Sequence, residues 1–179
     1  MSPRSSARPP GAPGPAVHRV ADVQLRAPGG PLAARAYWPV PSEAVAAPAL
    51  LVLLPGDGSG AGGLDRLDAL CRGVCAHAGV VVLSVTRRSA APDVPAAALE
   101  DSTAAVHWAA DHAAQLGADP GRLLVAGIGV GGSLAHAVAR RARDDGWPAI
   151  TRQVSVRHGS AERMLHDLSR SLRPALDAR

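Results

Sequence analysis

Three short, continuous apolar segments constrain the fold more than any other feature of the sequence. They comprise residues 50–54, 80–85 and 123–126, and each has the length of a strand. A strand that is apolar on both faces needs cover on both faces, which is typical of the centre of a parallel sheet. Segments of helical length separate the three strands. The sequence therefore predicts an α/β fold, a three-layer α/β/α sandwich with a mostly parallel sheet.

Further elements extend this pattern in both directions. Two short strands flank a Gly-Pro turn and predict an N-terminal β-hairpin, and a short strand follows the last internal helix. The predicted hairpin strands are residues 20–26 and 32–38, the late strand is 154–156, and the predicted helices are 64–78, 95–116, 133–143 and 161–176. Residues 1–17, rich in Pro, Gly and Ser, predict a disordered arm, and residues 18–179 predict a single partial domain.

Composition narrows the class of function. The net charge is +4, but the arginines are scattered and aromatic residues make up 2% of the chain, so neither a phosphate footprint nor a base-stacking surface is indicated. No apolar run reaches transmembrane length. The only two cysteines, Cys71 and Cys75, are expected to be buried thiols in a reducing, cytoplasmic location. No metal site, cofactor, nucleic acid or membrane partner is expected.

The stretch "LVAGIGVGGS", residues 124–133, supports two interpretations. Gly127, Gly129 and Gly132 spell G-x-G-x-x-G, the fingerprint of dinucleotide-binding folds. The same stretch also matches G-x-S-x-G, a nucleophile elbow, with Gly129 where the serine would stand. The dinucleotide interpretation is weakened because the turn follows the fifth predicted strand, and because Arg157 follows the next strand where an acidic residue should meet a ribose.

Motifs around this turn favour the elbow. "LLPGDGSGAGG", "AALED", a helical Trp and "GADPGR" occur in order before it. From residue 50 to residue 156 the chain resembles the hormone-sensitive-lipase-like branch of the α/β-hydrolases, which includes bacterial acetyl-esterases and carboxylesterases. The resemblance implies a truncated α/β-hydrolase fold, with residues 127–132 as the nucleophile elbow and Gly127, Gly131 and Gly132 as its glycines.

The sequence departs from the family where the chemistry lies. The family's elbow reads G-D-S-A-G-G, and here Ile128 and Gly129 replace its Asp and Ser. Gly129 has no side chain to attack an ester, so no catalytic residue is predicted. The segments that carry the family's acid and base have no counterpart in the printed chain. The resemblance therefore implies a truncated, catalytically degenerate member.

The resemblance also assigns an oxyanion hole. The family's H-G-G-G loop aligns with "PGDG", so the equivalent positions are Gly56, Asp57 and Gly58, together with Val130 after the elbow. Backbone N–H groups there could persist. A carboxylate at Asp57 would oppose a developing negative charge, unless it is simply a turn residue that points to water.

Other candidates are weaker. Ser133 lies too far along the helix to replace the missing nucleophile. Glu100, Asp101 and Ser102 are interpreted as the first turn of a helix, where acidic residues favour the dipole. Most histidines fall on predicted helices, and His158 is the one candidate base in a loop.

The predicted function is a non-catalytic binding or assembly protein of esterase and lipase lineage. The alternatives are a carboxylic-ester hydrolase, as the family implies, and a weak NADP-binding protein. A small acyl-type ligand could bind at the carboxyl ends of the strands, and the edge of the last strand could support self-association unless the closing helix covers it.

Overall fold

A six-stranded sheet forms the centre of the fold in the computed structural model, which describes residues 15–42, 47–56, 62–86 and 94–177. The strands are β1 (Arg19–Ala27), β2 (Gly30–Trp38), β3 (Leu50–Leu54), β4 (Val81–Val85), β5 (Leu123–Ile128) and β6 (Ile150–Val156). The helices are α1 (Gly62–Ala78), α2 (Val94–His112), α3 (Val130–Asp145) and α4 (Ala161–Asp177).

The sheet has the order β1-β2-β4-β3-β5-β6. Strands β4, β3, β5 and β6 run parallel, whereas β1 pairs with β2, and β2 with β4, in antiparallel fashion. The predicted α/β class, the mostly parallel sheet and the N-terminal hairpin are confirmed.

Two apolar clusters cover the two faces of the sheet. Alternate residues of β3 separate between them: Leu50 and Val52 join the cluster of α2 and α3, and Leu51 and Leu53 join the cluster of α1 and α4. All five β3 residues are buried, as the unbroken apolar run predicts. Val17, which the sequence assigns to the arm, packs against the second cluster. Residues 1–14 lie outside the described residues.

A polar network joins the hairpin to α1. Asp68 on α1 accepts hydrogen bonds from the hydroxyl of Tyr37, at 3.1 Å, and from Nε of Arg72, at 2.6 Å. Arg35 on β2 reaches Asp65 on the same helix at 2.8 Å. Tyr37 is fully buried and Arg72 only 6% exposed, so Asp68 satisfies two polar groups that have little access to water. Burial also raises the pKa of Tyr37.

The closing helix α4 is docked on the sheet. Its buried residues Met164, Leu168 and Leu172 join the cluster around α1. Leu165 packs so closely on Gly73 that a Cβ there would lie 3.0 Å from a Leu165 methyl group. Arg122 donates to the Leu176 carbonyl at 2.8 Å and thereby satisfies the last turn of α4. α4 thus covers one face of β6, while within the described residues β6 pairs with β5 alone.

Three predicted boundaries differ from the structure by three residues or more. α2 ends at His112 rather than at residue 116, because the chain tightens there: Gly117 N–H bonds to the Ala114 carbonyl, and Gly117 has φ +71°. α3 begins at Val130, three residues before the predicted start. Its first turn contains Gly131 and Gly132, which are weak helix formers held there by packing. β6 covers seven residues instead of three.

Candidate functional site

A tight turn joins β5 to α3, and Gly129 is at its apex. Gly129 has φ 57° and ψ −120° and stands immediately before the first helical residue. Its N–H donates to the Val156 carbonyl at 2.8 Å, and its own carbonyl accepts from Gly132 N–H at 2.9 Å. This strand–turn–helix arrangement is the one that both the elbow and the dinucleotide interpretations require. The backbone thus supports either motif, and side chains must distinguish them.

Two elbow glycines are required by packing. A Cβ on Gly127 would collide with the carbonyl of Gly131, and a Cβ on Gly131 would collide with the Leu54 carbonyl oxygen. A Cβ on Gly132 would meet Ser155 Cβ at 3.0 Å, a contact that needs a small adjustment. The start of α3 therefore packs closely against both the end of β5 and the end of β3.

Gly129 differs from these neighbours because the described residues leave space around it. Within the part of the chain that the structure describes, a Cβ there would meet His158 alone, whose Cβ would lie 3.6 Å away in ordinary van der Waals contact. The positive φ alone disfavours other residues, at a cost of about 1–3 kcal/mol. Packing among residues 15–42, 47–56, 62–86 and 94–177 therefore does not impose glycine at position 129, and a side chain there carries a moderate backbone cost.

Two of the four oxyanion-hole-equivalent positions are described, and they lie together. A Cβ built on Gly56 would stand 3.0 Å from Val130 N, so the end of β3 faces the start of α3. Val130 itself is 63% exposed, although it is apolar. Asp57 and Gly58 lie outside the described residues, and their assignment stays a prediction.

The two loops meet at a switch point of the sheet. β3 leads into α1 on one face, and the neighbouring β5 leads into α3 on the other. Ligands of open α/β sheets bind where adjacent strands diverge in this way, outside their carboxyl ends. Gly56 and Gly129 thus flank the crevice in which the fold places chemistry.

His158 lies at this crevice as well. The sequence indicated it only as a loop candidate, whereas the structure places it beside Gly129. Register could have revealed this, because Ile128 pairs with Val156 in parallel β5 and β6. Residues just past the two strand ends then come together. The side chain of His158 is exposed to solvent.

The acidic segment of α2 is placed differently from the prediction. Because α2 begins at Val94, Glu100 to Ser102 fall beyond its first turn, and that turn contains no acidic residue. Asp101 and Ser102 are instead buried, at 1% and 4% exposure. Ser133 is exposed in the first turn of α3.

A cavity of about 420 Å³ lies away from the elbow, along the far half of α3 and the amino end of β6. Ala142, Arg143, Ile150 and Gln153 contribute to its walls. This position differs from the strand ends at which the sequence predicts an acyl-type ligand. The crevice inferred from the topology beside Gly129 and this cavity are thus separate places.

The remaining polar groups give few options for chemistry. Cys71 and Cys75 are buried free thiols, and burial raises the pKa of each to about 12, so neither is a reactive nucleophile near neutral pH. Over the described ranges, His, Cys, Asp and Glu form no cluster of three that could hold a metal ion. Within the same part of the chain, no helix combines the length and apolarity needed to cross a bilayer.

Comparisons with known proteins agree with this architecture. A family model described as the α/β-hydrolase fold matches residues 51–172. Esterase LipI of Mycobacterium tuberculosis is 40% identical over 136 residues, which are 76% of this chain and 42% of that protein. Carboxylic ester hydrolase LipN of the same organism is 46% identical over 135 residues, 74% of this chain and 35% of its own length.

A solved structure extends the likeness to three dimensions. An esterase of Pyrobaculum calidifontis superposes with a TM-score of 0.69 at 37% sequence identity, over 78% of this chain and 44% of that one. The chain therefore spans less than half the length of these three relatives. The family match, the identities and the shared fold together show that the chain belongs to the α/β-hydrolase family, in its hormone-sensitive-lipase-like branch of esterases and lipases.

Proposed function

We propose that this chain is a non-catalytic member of the esterase lineage that acts in binding or assembly. One observation carries the proposal: the apex of the elbow between β5 and α3 is Gly129. Acyl transfer on this fold begins with attack by a side-chain oxygen at that point. An acid and a base supplied from outside this chain would not compensate, because neither creates an attacking oxygen on a glycine; a partner would have to bring the nucleophile as well.

The surrounding backbone is consistent with loss of chemistry and retention of fold. Glycine adopts φ 57° without the strain that serine carries there. The donors that would face an oxyanion include Val130 N–H beside Gly56, so a carbonyl group could still be bound. We propose a small acyl-type ligand in this crevice.

Two further parts of the proposal concern self-association and cellular location. Self-association through the edge of β6 is the proposed assembly mode, because that strand pairs with β5 alone among the described strands. A cytoplasmic location is proposed from the two unpaired, buried thiols. Neither nucleic acid nor membrane is proposed as a partner, since the charge is modest and scattered.

Hydrolysis of p-nitrophenyl acetate by the purified chain tests the central claim. We expect the background rate of buffer, no labelling by a fluorophosphonate probe, and the same result for G129A. A contaminating esterase would label at another mass and give equal rates in both preparations. Turnover that follows the chain through successive columns, with a label at its own mass, would refute the proposal.

Thermal shift measurements test ligand binding. Short acyl esters and fatty acids are expected to raise the Tm, and NADPH is not. A shift specific to NADPH would favour the G-x-G-x-x-G interpretation instead, in which the start of α3 holds a phosphate and Arg157 a 2′-phosphate.

Light scattering after size exclusion tests assembly. A dimer whose fraction increases with concentration is expected. A monomer at all concentrations would contradict self-association and leave ligand binding as the remaining proposed role.

A further inference from the structure

We infer that His158 is placed to serve as the base for a nucleophile at position 129, so that one substitution supplies a serine–imidazole pair. The inference rests on the proposed function, because it takes the native chain to be inactive for want of a nucleophile. It goes further by naming the proton acceptor, which lies within this chain, two residues past the end of β6.

Distance is the first argument. A Cβ at position 129 would stand 3.6 Å from His158 Cβ. A serine hydroxyl is one bond from its Cβ, and the nearer imidazole nitrogen is two bonds from its own. The two groups can therefore meet within the ~2.6–3.2 Å that nucleophile and base require.

The backbone that carries His158 is held at both ends, which is the second argument. Val156 pairs with Ile128 and accepts the N–H of Gly129 at 2.8 Å, so the strand end is tied to the elbow itself. Two residues after His158, Ser160 caps α4 by accepting from Arg163 N–H at 3.3 Å. A group fixed between two such anchors keeps its distance from the elbow.

Access and charge support the same role. His158 is exposed to solvent rather than buried in the core, so its imidazole is open to a ligand. The neighbouring Val130 N–H stands by Gly56, where a carbonyl oxygen would gain negative charge. Position 129, the proposed base His158 and one N–H donor are therefore neighbours.

The reaction expected of G129S is ester hydrolysis through an acyl-enzyme. The introduced hydroxyl adds to the ester carbonyl carbon while its proton passes to the His158 imidazole. The C–O bond to the alcohol breaks, and the imidazolium returns the proton to the departing alkoxide. Water then cleaves the acyl-enzyme by the same route, releasing the acid and regenerating the hydroxyl.

G129S, measured with p-nitrophenyl acetate, tests the inference. We expect a burst of p-nitrophenol and at least a tenfold gain over the native chain. Adding H158A to G129S should lower the steady-state rate about tenfold or more, since a positioned base contributes 10²–10⁴-fold in favourable cases. H166A, which removes an exposed histidine from α4, is the matched control and should change the rate less than twofold. Free imidazole should partly restore the H158A variant, which a merely structural residue would not allow.

The outcomes separate this inference from the function proposed above. Turnover by the native chain would overturn the proposed function. An inactive native chain with a folded but inactive G129S, or with G129S activity unaffected by H158A, would overturn the role of His158. G129A and G129S proteins that both fail to fold would also overturn it, because the inference requires room for a Cβ beside His158.

Discussion

Replacing Asp68 with alanine should destabilise the protein far more than the same change at Asp65, three residues earlier on the same helix. Both carboxylates contact Arg35, Asp65 at 2.8 Å and Asp68 at 3.7 Å, so a count of ion pairs would rank them alike. Their surroundings differ. The Asp65 side chain is 76% exposed, whereas that of Asp68 is 18% exposed and also bonds Tyr37 and Arg72.

The magnitude follows from what each change leaves unpaired. D68A strands the fully buried hydroxyl of Tyr37, at a cost of about 1–3 kcal/mol. It also removes the partner of Arg72, whose side chain is 7% exposed; breaking a buried pair costs about 3–5 kcal/mol. The two costs are not additive because Tyr37 and Arg72 share one partner, so we expect a total of about 4 kcal/mol. D65A should cost at most about 1 kcal/mol.

Urea unfolding, followed by far-ultraviolet circular dichroism, measures both changes at pH 7. For a chain of this size, the loss in D68A corresponds to a fall in Tm of roughly 10 °C. D68N, which keeps an acceptor for Tyr37 but loses the charge, should lie between D65A and D68A. Equal destabilisation by D65A and D68A would refute the argument that burial, rather than the number of ion pairs, sets the cost.

Three further outcomes are expected. G131A should prevent folding or cost several kcal/mol, because its Cβ would collide with the Leu54 carbonyl. G129A should lower the free energy of unfolding by about 1–3 kcal/mol. Similar losses of stability in the two variants would contradict the space inferred at position 129. The free energy of unfolding should fall from pH 9 toward pH 12, because the unfolded chain releases the protons of Cys71 and Cys75 before the folded chain does. The fall should reach about 1.4 kcal/mol per pH unit for each buried thiol. Urea titrations at pH 7.5, 9 and 10 measure it, and an unchanged free energy of unfolding would contradict burial of the thiols. L168A, at a fully buried position of α4, should cost about 2–5 kcal/mol and expose α4 to protease, whereas a loss below 1 kcal/mol would mean that α4 is not docked.

Much of the fold could be predicted from local pattern. The bounds of β3 agree with the apolar run at residues 50–54, since a strand buried on both faces carries its signal in every residue. β6 was predicted too short because its first half holds Thr151, Arg152 and Gln153, whose side chains are exposed or half-buried at the sheet edge. The start of α3 was missed because close backbone packing, not helix propensity, places Gly131 in a helix.

The site was less predictable than the fold. Gly129 could be placed at the elbow from motif order alone, because strand, turn and helix are consecutive in sequence. His158 lies 29 residues further on, and its nearness depends on which strand pairs with β5 and in what register. Such non-local information is absent from the periodicity of a single segment. The burial of Asp101 was missed for a similar reason, since it depends on what packs against α2 and not on the bounds of the helix.

At the elbow, the residues that packing requires are different from the residue on which ester hydrolysis depends. Gly127 and Gly131 allow β5 and α3 to pack, while a Cβ at the apex between them would make one ordinary contact with the described residues, to His158. In a lineage whose apex residue is serine, natural selection for a folded chain would scarcely register a change to glycine there, although selection for ester hydrolysis would register it at once. A library screened for folding would retain such chains, and one screened for turnover would discard them. The elbow is thus a place where an enzyme lineage can give rise to a binding protein in a single mutational event.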